Sequence, residues 1–132
     1  MNQSGLLAYR SRPTRIVTAV QIRLDCDALR YRKWGGVQQA NAGDWLVDNE
    51  GDVYTVDEKT FSATYESVGP GQYRKHVTVW AEVADHAGDI ETREGRTSYS
   101  AGDYLVYNDR QRQDGYAVSR ERFESLYEPE VY

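Results

Sequence analysis

Residues Ile16, Thr18, Val20, Ile22 and Leu24 recur at every second position, with Arg15, Val17, Ala19, Gln21 and Arg23 between them. This period predicts a half-buried β-strand whose first set faces inward. The phase returns at Val77, Val79, Ala81 and Val83, with Thr78, Trp80 and Glu82 on the other face. Aligned as strands, the two segments place Val79 on Val20 and Val83 on Leu24. Downstream, Trp45-Leu46-Val47 predicts a strand, Asp48-Asn49-Glu50-Gly51 a turn, and Asp52-Val53-Tyr54-Thr55-Val56 the return of a hairpin. A second hairpin is predicted from Tyr104-Leu105-Val106, a longer turn at 108–114, and Gly115-Tyr116-Ala117-Val118. Asp57 and Ser119 have the character of helix N-caps. Phe61 and Tyr65, like Phe123 and Tyr127, stand at i, i+4 spacing on one face of a short helix.

These elements come in one order, written twice. Ala42-Gly43-Asp44-Trp45-Leu46-Val47 returns as Ala101-Gly102-Asp103-Tyr104-Leu105-Val106, and each copy closes on Phe-x-x-x-Tyr-Glu. The pattern predicts an all-β to α+β fold of two tandem β-hairpin repeats, each with one short helix, sharing a core about a pseudo-twofold. The expected organisation is an N-terminal tail over 1–13, a first repeat over 14–68, a linker at 69–72 marked by Gly69-Pro70-Gly71, and a second repeat over 73–132. Together they would form one compact domain.

Composition narrows the function classes. A net charge of -5 over 132 residues argues against general nucleic-acid or membrane-surface affinity. A mean hydropathy of -0.78, with no long apolar run, points to a cytoplasmic protein without a membrane span or signal peptide. The single cysteine, Cys26, excludes an internal disulfide. Eleven tyrosines against two phenylalanines make the aromatic content amphipathic, suited both to thin cores and to binding surfaces.

Candidate chemistry is sparse. Asp44 and Asp103 have the makings of an acid–base pair, but their identical place before a strand favours carboxylates that accept turn N–H groups. His76 and His86 lack partners at metal-ligand spacing, and Cys26 has no neighbouring histidine. No metal site, cofactor or catalytic residue is expected. Positions where the copies differ are the better candidates. Trp34 and Trp80 align with Arg93 and Gln21, and Trp80 faces away from Val79, on an exposed surface able to take a partner. Arg30-Tyr31-Arg32-Lys33-Trp34 is a basic–aromatic cluster able to hold an anion. Its aligned counterpart carries Asp89 opposite Arg30 and Glu91 opposite Arg32, so the alternative is charge pairing between the two strands.

Tyr9-Arg10-Ser11-Arg12-Pro13 followed by Ala19-Val20-Gln21 resembles the opening of small phage and prophage proteins that begin Tyr-Arg-Lys-Lys-Pro and continue into Glu-Ala-Val-Gln-Trp. Gly43-Asp44-Trp45-Leu46-Val47, Gly51, Tyr54, Phe61 and Thr64-Tyr65-Glu66 resemble their closing half, and Gly102-Asp103-Tyr104 is similar to the signature of the PGDYG family. Ile22 stands in place of the Trp, and Ala42 and Ala101 in place of the signature Pro. The resemblance implies a fold unit and a phage or accessory-gene context, and supplies no catalytic residues. The leading expectation is a non-catalytic binding or regulatory protein, an inhibitor acting by protein contact, with Arg30, Arg32, Trp34 and Trp80 as its site. The second is a small-molecule binder holding an anion or nucleotide between the repeats. The third is an enzyme using Asp44 or Asp103.

Overall fold

A computed structural model describes residues 5–130. Residues 1–4 of the expected tail, and residues 131 and 132 of the second unit, lie outside the described residues. The chain is β-rich with two short helices. Its elements are β1 (Leu7–Ser11), β2 (Val17–Gln21), β3 (Leu29–Lys33), β4 (Gly36–Ala40), β5 (Trp45–Asn49), β6 (Asp52–Val56), α1 (Glu58–Thr64), β7 (Tyr65–Gly69) and β8 (Gln72–Lys75). They continue as β9 (Val79–Val83), β10 (Gly88–Glu91), β11 (Arg96–Tyr99), β12 (Tyr104–Tyr107), β13 (Gly115–Val118), α2 (Arg120–Leu126) and β14 (Tyr127–Pro129).

The strands form two five-stranded sheets, ordered β6-β5-β2-β8-β7 and β13-β12-β9-β1-β14, plus the separate hairpins β3-β4 and β10-β11. All pairings are antiparallel. Residues 7–11, expected within a tail, are instead an interior strand: β1 pairs with β9 on one side and β14 on the other. A tail reading failed because β1 buries little of itself, but Tyr9 sets its ring edge-on to Phe123 at 4.8 Å. The expected linker is also reassigned. Pro70-Gly71 is the tight turn of the β7-β8 hairpin, and both strands lie in the first sheet. After β1 the chain leaves the second sheet, and it returns there only with β9, beyond Lys75.

The hydrophobic phase holds in β9 and reverses in β2. Val79 and Ala81 are buried as expected, but in β2 the buried residues are Val17 and Ala19, while Ile16, Val20 and Leu24 are exposed. The register explains the reversal. Ala19 pairs with Val47, and Ala81 with Val106. The connection after β2 spans 22–28, three residues more than 84–87 after β9. An odd shift moves every side chain of a period-two strand to the other face.

The buried apolar side chains form two clusters, one per sheet, instead of a single shared core. Val17, Ala19, Val47 and Phe61 make the first, and Val79, Ala81, Tyr104, Val106, Phe123 and Tyr127 the second. Each is built round the phenylalanine of its helix. The Phe61 ring stacks on Trp45 at 4.1 Å and on Tyr65 at 4.6 Å, and Phe123 stacks on Tyr104 at 4.0 Å. Helices of seven residues do not persist alone in water, so this burial, worth about 2–3 kcal/mol per ring, is what holds them to the sheets. Asp57 caps α1 by accepting from the N–H groups of Lys59 and Thr60, and Ser119 caps α2 by accepting from Arg122.

The two separate hairpins meet through β4 and β11, not through β3 and β10. Gln38 bridges Gly95, and the Gln39 N–H donates to the Glu94 carbonyl at 2.5 Å. A Cβ at Gly95 would lie 2.1 Å from the Val37 oxygen, and one at Gly36 2.2 Å from the Arg96 oxygen, so glycine permits this approach. The pairing of Arg30 with Asp89 and Arg32 with Glu91 therefore does not form. Asp89 and Glu91 face Arg96 of their own hairpin, and Arg30 donates to Gln39.

Candidate functional site

The site grows from tyrosines on the sheet edges. Tyr54 on β6 and Tyr65 on β7 stand at opposite edges of the first sheet, yet their side chains come close enough for each to influence the other's ionisation. Tyr116 on β13 and Tyr127 on β14 do the same across the second sheet, with hydroxyls 2.7 Å apart. In a flat five-stranded sheet the edges would lie roughly 19 Å apart. Each sheet must therefore curl until its edge tyrosines meet, and the two curled sheets turn these tyrosines toward a common space.

That space is a cavity of about 310 Å³, walled by Tyr54, Tyr65, Tyr116, Tyr127 and Lys75 among others. Lys75 ends β8, in register with Tyr65; Ser11 of β1 holds the corresponding place beside Tyr127 and also lines the cavity. The Lys75 ammonium reaches across to the second sheet. It donates to the Tyr116 hydroxyl at 3.1 Å and the Tyr127 hydroxyl at 3.4 Å, and lies 6.0, 5.0 and 5.8 Å from the rings of Tyr65, Tyr116 and Tyr127. Lys75 is half-buried and lines the cavity.

The cations of the cavity wall differ in their partners. Arg15 is paired with Glu50, Arg93 with Asp114 at 3.3 Å, and Arg122 with Asp52 at 3.6 Å. Among the described residues, no carboxylate lies within ion-pair distance of Lys75. Burial consequently lowers its pKa from 10.5 to about 8, a shift that the more distant Asp114 charge opposes. The same burial raises the hydroxyls of Tyr65 and Tyr116 well above their ordinary value, so these phenols remain neutral donors and acceptors.

Opposite charge also lines the wall. Glu94, in the turn between β10 and β11, accepts from the Asp57 N–H at 2.8 Å. Burial raises its pKa from 4.5 to about 7, opposed by that hydrogen bond and reinforced by the charges of Asp114 and Asp57. Asp114 is already satisfied. It accepts from Thr60 at 3.2 Å and Asn108 at 3.1 Å besides pairing with Arg93. Asn108 keeps one buried amide oxygen without a partner.

Of the four candidate binding residues Arg30, Arg32, Trp34 and Trp80, only Trp34 lines this cavity. It sits in the tight Trp34-Gly35 turn, with positive φ at both residues, and packs against Tyr54 at 5.9 Å. Arg30 and Arg32 are exposed on β3 and do not line the cavity. Trp80 is only half-exposed, because the Arg110 guanidinium covers its ring at 4.7 Å. Asp44 accepts from the N–H groups of Asn41 and Glu58, and Asp103 from that of Ser100; neither lines the cavity. Among the described residues, no His, Cys, Asp and Glu group is placed to hold a metal, and no helix is long and apolar enough to cross a membrane.

No known protein family, curated protein or solved structure matches the chain. The site therefore has to be interpreted from its own chemistry. Sequence inspection passed over its main components, although the signal was present: Tyr54 with Tyr116, and Tyr65 with Tyr127, are the polar-tipped aromatics that both copies share.

Proposed function

We propose that this protein is a non-catalytic small-molecule-binding protein, built as a tandem duplication about a pseudo-twofold, with its ligand held between the two sheets. The matching strand orders and matching tyrosine pairs support the duplication. The observation that carries the functional reading is Lys75: the one cation of the cavity wall without a carboxylate partner, in a space about ten water volumes in size. Four tyrosines supply flat faces for stacking and O–H groups for an oxygen anion. The complementary ligand is a single-ring aromatic bearing one negative charge, which would complete the ion pair that Lys75 lacks. Recognition of a protein partner through Trp80 has weaker support, since Arg110 already occupies that ring face.

Thermal denaturation with para-hydroxybenzoate and with its neutral amide tests the reading. The acid should raise the melting temperature in a dose-dependent way, the amide should do so less, and Lys75→Met should abolish the difference. If neither compound shifts melting of the folded protein at millimolar concentration, the reading is wrong.

A further inference from the structure

We propose that Lys75 is a covalent capture site, at which a small aldehyde condenses with the amine to form a Schiff base inside the cavity. The proposal rests on the cavity-binding reading and adds a chemical class of ligand to it. Three features of the geometry support it. The amine faces an internal space large enough for a single-ring carbonyl compound. No carboxylate among the described residues holds it as an ion pair, in contrast to Lys33, which pairs with Asp52 at 2.8 Å. Two phenols hydrogen-bonded to each other, Tyr116 and Tyr127, lie 3.1 and 3.4 Å from its nitrogen.

The chemistry balances without an added oxidant or reductant. The ammonium first gives up a proton, which burial makes accessible near neutral pH. The nitrogen lone pair then attacks the carbonyl carbon, a C–N bond forms, and the carbonyl π pair moves to oxygen, which takes a proton from a tyrosine hydroxyl. The carbinolamine C–O bond breaks with release of water as the nitrogen lone pair forms the C=N bond. The water takes up the protons shed by nitrogen, and the phenol is restored. In sum, one ammonium and one aldehyde give one iminium and one water. Net charge is unchanged, and the three tyrosine rings that face the ammonium also face the iminium.

The folded full-length protein is incubated with para-formylbenzoate, reduced with cyanoborohydride, digested and mapped by mass spectrometry. Lys33, Lys59 and Lys75 are the chain's lysines, so the surface amines are internal controls. The expected result is an adduct on Lys75 formed on the order of tenfold faster than on Lys33 or Lys59, because more of its amine is unprotonated near neutral pH. Tyr127→Phe should slow this adduct while leaving surface labelling unchanged, a readout that separates proton transfer from simple packing. Equal labelling of all three lysines, or labelling that spares Lys75, overturns the proposal. Running para-hydroxybenzoate thermal shifts alongside separates the two failures. A shift without a Lys75 adduct defeats covalent capture alone, and the absence of both defeats the cavity reading as well.

Discussion

Replacing Lys75 by methionine should stabilise the protein at pH 7 and lose that advantage at high pH. The substitution keeps the length and apolar stem of the side chain and removes the charge. A fall in pKa from 10.5 to about 8 corresponds to about 3 kcal/mol of disfavour for the ammonium, at roughly 1.4 kcal/mol per pH unit. Lys75 is only half-buried, so solvent screening lowers that ceiling. The lost hydrogen bonds to Tyr116 and Tyr127 offset about 1 kcal/mol more, and only modestly, because the two hydroxyls remain bonded to each other at 2.7 Å. The net expectation is a gain of about 1–2 kcal/mol at pH 7.

The sign follows from proton binding. Between about 8 and 10.5 the unfolded chain holds a proton that the folded chain has released, so this group makes wild-type stability rise with pH across that window. Below it the full penalty of burying the charge applies, and above it the penalty is gone. The difference between variant and wild type should therefore shrink from pH 7 to pH 10.5 and reach zero or change sign. Urea denaturation followed by circular dichroism at both pH values measures it. A variant destabilised equally at both would show that Lys75 anchors the sheets as an ordinary structural residue, and the argument for an unsatisfied charge would fail.

Glu94→Gln keeps an acceptor for the Asp57 N–H but cannot ionise. The raised pKa of about 7 means that wild-type stability from this group falls as pH rises from 4.5 to 7, so the variant should gain about 1–2 kcal/mol at pH 8 and nothing at pH 4, by urea midpoints. Asp44→Ala should cost about 2–3 kcal/mol and Asp103→Ala about 1 kcal/mol, since Asp44 is buried and holds two N–H groups where Asp103 holds one; equal costs would contradict the geometry. Val17→Thr should cost about 1–2 kcal/mol by burying a hydroxyl, and Val20→Thr should stay within about 0.5 kcal/mol; the reverse order in thermal melts would restore the opposite phase for β2.

Local signals were legible in the sequence, and the way the elements come together was not. The hairpin of β5 and β6, the long turn at 108–114, both helices and both N-caps follow from turn residues, period and capping chemistry that act within a few positions. The phase of β2 was lost because it depended on a loop length that motif spacing conceals. The site was lost for a deeper reason. Comparing the two similar segments suggests that shared positions serve the fold and differing ones serve function, yet the shared tyrosines both pack against their sheets and line the cavity. Curling each sheet brings its edges together, so any residue repeated at both edges of both sheets is delivered four times to one central space. What breaks the equivalence there is Lys75 against Ser11, the residues that pair with Tyr65 and Tyr127. Each follows a Tyr-Arg pair that the two strands share, Tyr73-Arg74 on β8 and Tyr9-Arg10 on β1. Each of these strands precedes the central strand of one sheet while pairing within the other. The shared Tyr-Arg pairs and the strand order together show which positions correspond, and they set Lys75 against Ser11, with the ammonium beside the Tyr116 and Tyr127 hydroxyls.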